Sequence, residues 1–280
     1  MKESFVILGA RGTMPVSGKC FEKYGGHTTC FCLKTSQGLI IIDAGTGISL
    51  IDETKDEELL PATMLFTHFH LDHLLSLPFL KRIYNQKSSL KLMADPSRRP
   101  DLRSTLMNLF TPPYWPVLMD KTAASFEFNN LPEGAFSSGE SACGGNSIEL
   151  YGVRVSWCHL YHPQGSLAYR LETAEGSVAV VTDHECGDPK LDDILLQFCS
   201  KADFLIYDAQ YTPDEMETHR GWGHSSWAEG VEIAVKAKVG ELILTHHDYK
   251  RQDDEIDAIV EATRRHFPKT RAANEGMILF

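Results

Sequence analysis

Apolar residues recur along the chain in two rhythms, and the alternation between them predicts the architecture. Short unbroken runs read as buried strands: Ser4 to Leu8, Leu39 to Asp43, Met64 to Thr67, Ser177 to Thr182 and Leu242 to Thr245. Stretches in which apolar residues return every three or four positions read as amphipathic helices, at Asp101 to Phe110, Leu191 to Cys199 and Ser226 to Lys238. Leu71 to Leu80 shares that spacing and predicts a helix directly after the strand that ends at Thr67. Further strands are expected at Cys30 to Thr35, Leu90 to Ala94, Ser147 to His159, Ser166 to Glu172 and Phe204 to Tyr207. An opening antiparallel pair, followed by strand and helix alternation in both halves, predicts an α/β sandwich with helices outside two packed sheets. Leu131 to Gly145 is rich in Gly, Ser and Pro and reads as an internal connection between the halves. One domain over residues 1–280 is the expectation, and periodicity shows no internal repeat.

Metal-capable side chains gather where these strands end. Thr67-His68-Phe69-His70-Leu71-Asp72-His73 carries four of them in one short run at a strand-to-helix junction. His68 and His70 project to the same face if the backbone is extended, while Asp72 and His73 leave from the opening turn of the helix. Two pairs suggest two metal ions; imidazole with carboxylate suits zinc, and also manganese or iron. His162, Asp183 and His246 each follow a strand, where such a residue is either a further ligand or a capping or core polar group. Asp43 ends Ile40-Ile41-Ile42, placed to orient a metal-bound imidazole or simply to make a turn. Gly9 to Thr13 is a glycine-bearing turn that either reverses the chain or approaches a ligand, and Gly25 to Thr29 is a second glycine loop. Thr111-Pro112-Pro113-Tyr114-Trp115-Pro116 is a rigid aromatic surface loop, a candidate for a pocket wall, for a homodimer contact, or for a loop packed by its own rings.

Composition narrows the partners. A hydrophobic content of 42% in 280 residues is ample for a substantial core. Lys plus Arg number 27 against 38 for Asp plus Glu, and the resulting charge of −11 opposes nonspecific attraction to long nucleic acid. A small anionic substrate stays compatible, because bound dications reverse the local field. Seven scattered cysteines do not read as a disulfide framework, and Cys30-Phe31-Cys32 lacks a second pair to complete a tetrahedral site. No stretch approaches the ~20 apolar residues that span a bilayer, and the N-terminus lacks a signal-peptide pattern, so a cytoplasmic, membrane-free protein is expected.

The run His68-x-His70-x-Asp72-His73 resembles the signature of the metallo-β-lactamase-fold hydrolases, and Asp43-Ala44-Gly45-Thr46 resembles their other N-terminal mark. His162-Pro163-Gln164-Gly165-Ser166-Leu167-Ala168-Tyr169-Arg170 is similar to the third motif of the branch containing ribonuclease Z and bacterial cyclic-nucleotide phosphodiesterases. Val181-Thr182-Asp183, Gly223-His224-Ser225-Ser226 and Leu244-Thr245-His246 resemble its later motifs, so the likeness runs nearly end to end. It implies the four-layer αβ/βα sandwich, with one metal on His68, His70 and His162, the other on Asp72, His73 and His246, and Asp183 bridging. It also implies a catalytic part for His224, whose plainer reading is a helix-entry residue. His184 stands where the branch often has Thr, His27 where Asn is frequent, and His247 adjoins His246. Only ~20 residues separate His162 from Asp183, barely two strands, so the long tRNA-clamping arm of many ribonuclease Z proteins is not visible.

The resemblance and the charge together imply a dinuclear phosphodiesterase acting on a small cyclic nucleotide. Hydroxide held between the metals would attack phosphorus, since coordination lowers the pKa of water from ~15.7 towards ~7. Asp72 would hold or accept the proton of the attacking water, and His224 would protonate the leaving alkoxide. His27, Tyr114 and Trp115 are candidate substrate contacts, the two rings by stacking on a base. A ribonuclease Z-like RNA-processing nuclease is the nearest alternative. A diiron oxygen-binding or sensor protein is the alternative of another class, though its members resemble His-x-Glu-x-Asp, and position 70 here is His.

Overall fold

The computed structural model describes residues 2–51, 60–97, 100–134, 136 and 147–280. Its strands are β1 (Ser4–Gly9), β2 (Cys30–Lys34), β3 (Leu39–Ile42), β4 (Ala62–Leu65), β5 (Ser89–Ala94), β6 (Ser125–Asn130) and β7 (Ser147–Leu150). They continue with β8 (Val153–Leu160), β9 (Ser166–Glu172), β10 (Ser177–Val181), β11 (Phe204–Asp208), β12 (Glu241–Thr245), β13 (Thr270–Ala272) and β14 (Met277–Ile278). The helices are α1 (Leu102–Leu109), α2 (Pro189–Phe198), α3 (Met216–His219), α4 (Trp227–Ala237) and α5 (Asp253–Arg264). None of these is long and apolar enough to cross a membrane.

Two sheets of seven strands form, in the orders β14-β1-β2-β3-β4-β5-β6 and β13-β12-β11-β10-β9-β8-β7. Both follow one plan without a repeat in sequence. An antiparallel stretch leads into parallel strands, at β3-β4 in one sheet and at β10-β11 in the other. Phe31 and Leu33 of β2, with Ile40 and Ile42 of β3, pack against Trp157, Tyr169, Val180 and Ile206 of the second sheet. The alternate residues Cys30, Cys32 and Ile41 face outwards, under Leu102, Leu106 and Phe110. On the far side Ile194, Leu195 and Phe198 of α2 and Ile233, Ala234 and Ala237 of α4 cover β10, β11 and β12. The sequence therefore reads as unbroken apolar runs because both faces of the central strands are buried. This is the sandwich expected.

Three expectations change. Leu71 to Leu80 forms no α-helix but short 3-10 turns at Leu71–His73 and Leu77–Phe79. Pro78 lacks an amide donor for a longer helix, and the Ser76 N–H goes instead to Ala44 O at 3.0 Å. Ser147 to His159 is a hairpin of β7 and β8, turning at Tyr151 and Gly152, both with positive φ. The strands β6, β13 and β14 and the helices α3 and α5 are additions to the elements expected from the hydrophobic pattern. The connection over residues 131–145 lies largely outside the described residues.

Candidate metal centre

Parallel pairing puts the C-terminal ends of neighbouring strands at one edge, and the chemistry collects there. Asp43 follows β3, the His68 to His73 loop follows β4, Asp183 follows β10 and His246 follows β12. Asp43, Asp183 and His246 all adopt left-handed backbone, with φ of 62°, 56° and 58°. Such conformations cost about 1–3 kcal/mol each in non-glycine residues and persist where the surroundings fix them. Two hydrogen bonds tie the sheets together beside the loop, Tyr169 Oη donating to Phe66 O at 2.8 Å and Leu167 N–H to Thr67 O at 3.1 Å.

Potential ligand atoms of His68, His70, His162 and Asp183 converge in one group, those of Asp72, His73 and His246 in a second, and those of Asp183, His224 and His246 in a third. Asp183 Oδ1 lies 3.7 Å from both His68 Nε2 and His162 Nε2, while Oδ2 lies 3.1 Å from His73 Nε2 and 3.3 Å from His246 Nε2. Its two oxygens thus face different histidine pairs. The Nε2 atoms of His68, His73 and His246 are buried and have no hydrogen-bond partner. Orphaned imidazole nitrogens aimed at shared carboxylates are costly in a protein interior, and a divalent cation on these atoms would remove that cost. The donor set fits a metal pair.

Acceptors behind the rings fix which nitrogen points inwards. His73 Nδ1 lies 2.7 Å from Asp43 Oδ2, His162 Nδ1 2.7 Å from Gly223 O, and His246 Nδ1 2.9 Å from Gln210 Oε1. Each partner accepts the Nδ1 proton and leaves an Nε2 lone pair facing the cluster. Asp43 is itself held by the Thr67 N–H at 2.9 Å and Thr67 Oγ1 at 2.7 Å. Gly12 and Gly223 permit this packing: a Cβ on either would stand 2.3 Å from Nδ1 of His246 or His162. The Gly9 to Thr13 turn therefore both reverses the chain and approaches the site, where the Thr13 N–H donates to Asp72 Oδ2 at 2.8 Å.

Electrostatics follow from this crowding. Burial lowers His68 far below the ordinary histidine range and brings His162 to about 4. Burial opposes charge on His246 too, but Asp183, Asp72 and Asp208 outweigh it and raise that imidazole to about 9. Burial likewise disfavours ionisation of Asp183, yet His246, His73 and His68 hold it well below the usual carboxylate range. In the metal-free chain the surrounding carboxylates thus favour the charged forms of His73 and His246.

His224 lies at the edge of the group. Its Nδ1 is 2.8 Å from Asp208 Oδ2, and its ring stacks on His246 with centroids 4.8 Å apart. Motif spacing misses Asp208, Gln210 and the Gly223 carbonyl; Asp208 ends β11 beside Thr245 of β12, and strand-end placement is the one signal that could have found it. His247 turns away, Nε2 meeting Ala273 O at 3.0 Å, which separates it from His246. His184 faces Cys186 and Asp192 instead of the cluster. His27 is joined to its surroundings through its backbone, its N–H donating to Glu275 Oε1 at 2.7 Å, and it enters none of the ligand groups. Tyr114 and Trp115 line a cavity of about 660 Å³ with Phe69 and Leu71, the outward residues of the histidine loop.

A family model described as the beta-lactamase superfamily domain matches residues 39–247. The chain is similar to the ribonuclease Z of Oceanobacillus iheyensis, 27% identical over 111 residues that cover 40% of this chain and 36% of that protein. It is also similar to the ribonuclease Z of Bradyrhizobium diazoefficiens, 26% identical over 253 residues that cover 75% of this chain and 79% of that one. The chain thus spans little more than a third of the first of these relatives. Among solved structures the metallo-beta-lactamase fold protein YhfI from Bacillus subtilis superposes with a TM-score of 0.71 at 16% identity, covering 100% of both chains, a likeness of fold. With the family match spanning most of the chain and the histidine and aspartate cluster inside it, the chain belongs to the beta-lactamase superfamily.

Proposed function

We propose that this chain is a metal-dependent hydrolase that cleaves phosphodiesters at a dinuclear centre, with a small cyclic nucleotide as substrate. The observation that carries the reading is the gathering of seven side chains, His68, His70, Asp72, His73, His162, Asp183 and His246, in one cluster, with the Nε2 atoms of His68, His73 and His246 left without hydrogen-bond partners. His68, His70 and His162 would hold one ion, Asp72, His73 and His246 the other, and Asp183 both. Nitrogen and oxygen donors alone favour zinc, with manganese and iron as alternatives. Bound there, the ions would lower the pKa of water and offset charge on phosphoryl oxygens.

The chain's own groups supply the rest. Asp72 Oδ2, fixed by the Thr13 N–H and 3.5 Å from both His73 Nε2 and His246 Nε2, is placed to orient a water and take its proton. Asp208 accepts the Nδ1 proton of His224 and would fix the orientation of its ring. That leaves Nε2 to deliver a proton to the departing oxygen. Phosphodiester cleavage draws support from the relatives named ribonuclease Z.

A small substrate is favoured by three features. The charge is −11, residues 166–181 form only the β9-β10 hairpin, and the cavity lined by Phe69 and Leu71 of the histidine loop carries Tyr114 and Trp115, which would stack on a base. A ribonuclease Z-like activity is the second reading, favoured by those relatives' names alone. Metal analysis with a turnover screen separates the two, using cyclic mononucleotides, cyclic dinucleotides, bis-p-nitrophenyl phosphate, nitrocefin and a precursor tRNA. Faster cutting of the tRNA than of every cyclic nucleotide would overturn the small-substrate reading.

A further inference from the structure

A second set of metal-capable side chains lies outside the cluster, on the loop between β10 and α2. Ligand atoms of His184, Cys186 and Asp192 lie within 4.8 Å of one another. His184 Nε2 stands 3.7 Å from Cys186 Sγ and 3.6 Å from Asp192 Oδ1. The contact to oxygen is too long for an ordinary hydrogen bond. Both distances are close to the ~3.4–3.6 Å ligand-to-ligand edges of a tetrahedron with bonds of ~2.0–2.1 Å to nitrogen or oxygen and ~2.3 Å to sulfur.

The surrounding hydrogen bonds agree. His184 is fully buried and its Nδ1 has no partner. Asp192 Oδ2 accepts from the Gly187 N–H at 2.9 Å, while Oδ1 is buried without a hydrogen bond. Leaving a carboxylate oxygen unsatisfied is costly, and a cation held between it and His184 Nε2 would satisfy Oδ1. A nucleophilic Cys-His-Asp relay needs the carboxylate and the thiol on opposite ring nitrogens. Here both face Nε2, so the three groups converge on one point instead of forming a chain.

We propose that His184 Nε2, Cys186 Sγ and Asp192 Oδ1 bind a third metal ion, of the zinc class that accepts mixed nitrogen, sulfur and oxygen ligands. Cys186 and Asp192 line a cavity of about 650 Å³ with Glu185, Asp188, Arg220 and Glu229, which gives the ion an entry path and room for a water as fourth ligand. Binding displaces the Cys186 thiol proton to solvent. In the metal-free chain burial pushes that thiol up to about 12, so it stays protonated. The ion braces the catalytic edge from behind: His184 follows Asp183, its N–H points at Asp208 Oδ2 at 3.4 Å, and its carbonyl accepts from Ser225 Oγ at 2.7 Å, next to His224.

Cobalt(II) gives a selective readout, because the dinuclear cluster contains no sulfur. The chelator-stripped full chain titrated with cobalt should develop a near-ultraviolet thiolate-to-cobalt charge-transfer band whose final amplitude corresponds to one cobalt–thiolate bond per chain. Cys186→Ser should abolish the band and lower bound metal by one ion per chain. Asp192→Asn, on the partly exposed first turn of α2, guards against a serine variant that does not fold. It should weaken the cobalt affinity read from the band by at least the about 10–100-fold that losing an outer partner costs. Absence of the band in the unaltered chain would overturn the proposal, as would its persistence in Cys186→Ser or an unchanged affinity in Asp192→Asn. None of these readouts depends on turnover, so a failed phosphodiesterase assay leaves them intact.

Discussion

Replacing His224 with alanine should separate proton delivery from metal binding. The imidazole is anchored by Asp208 at 2.8 Å and packs flat on His246 at 4.8 Å, so its Nε2 is held in place before substrate arrives. Loss of a general acid costs ~10²–10⁴ in rate, or about 2.7–5.4 kcal/mol of barrier at about 1.36 kcal/mol per tenfold. Removal also leaves the buried Asp208 carboxylate with the Gln210 N–H at 3.1 Å and the distant His184 N–H at 3.4 Å as donors. That lost partner takes about 1–3 kcal/mol from folding stability. Rates must therefore be read well below the melting transition, alongside metal content. On a cyclic nucleotide, whose alkoxide leaves poorly, the full loss is expected. On bis-p-nitrophenyl phosphate, whose phenolate needs little protonation, the loss should be far smaller with metals retained. Equal losses on both substrates would refute the acid role and point to charge stabilisation. Loss of metal would make His224 a ligand, as its grouping with Asp183 and His246 allows, and His246 would then need reassignment.

Three other perturbations probe the same edge. Gly12→Ala places a Cβ 2.3 Å from His246 Nδ1 and 2.9 Å from Gln210 Oε1, so calorimetric metal affinity should fall about 10–100-fold; an unchanged affinity would count against the packing described. Asp43→Asn removes the charge that orients His73 at 2.7 Å and should weaken metal binding by a similar factor, with the chain still folded by circular dichroism. His246 in the metal-free chain is raised from 6.5 to about 9, so its contribution to stability is full below pH 6.5 and lost as pH rises through about 9. Metal must displace that proton, so affinity should climb over the same interval with proton release, and a pH-independent affinity would contradict the assignment.

Local chemistry is legible in the sequence where spacing alone carries it. His68, His70, Asp72 and His73 sit in one short run, and Asp183 and His246 mark themselves by ending apolar strands. The buried strands are legible because both of their faces are covered, which leaves unbroken apolar runs. The groups that aim the histidines are not. Asp208 and Gln210 reach their rings only after β11 and β12 align in parallel, and the Gly223 carbonyl meets His162 across 61 positions of chain, long-range pairings with no local signature. Leu71 to Leu80 misleads because its apolar spacing is helical, while Pro78 and the bond from Ser76 to Ala44 O decide the backbone. His184 stands out in the sequence only as a departure from a familiar motif; its relation to Cys186 and Asp192 depends on the turn into α2.

The central claim is that the cluster around Asp183 holds two ions and uses them on a phosphodiester. Its most direct test is stepwise return of zinc or manganese to the chelator-stripped chain, with turnover of bis-p-nitrophenyl phosphate and bound metal measured on the same sample. The stripped chain should show no turnover, activity should recover as two ions without sulfur ligands are taken up, and Asp183→Ala should lose metal and rate together. Turnover that survives stripping, or full metal uptake with no hydrolysis of any phosphodiester, would contradict the claim.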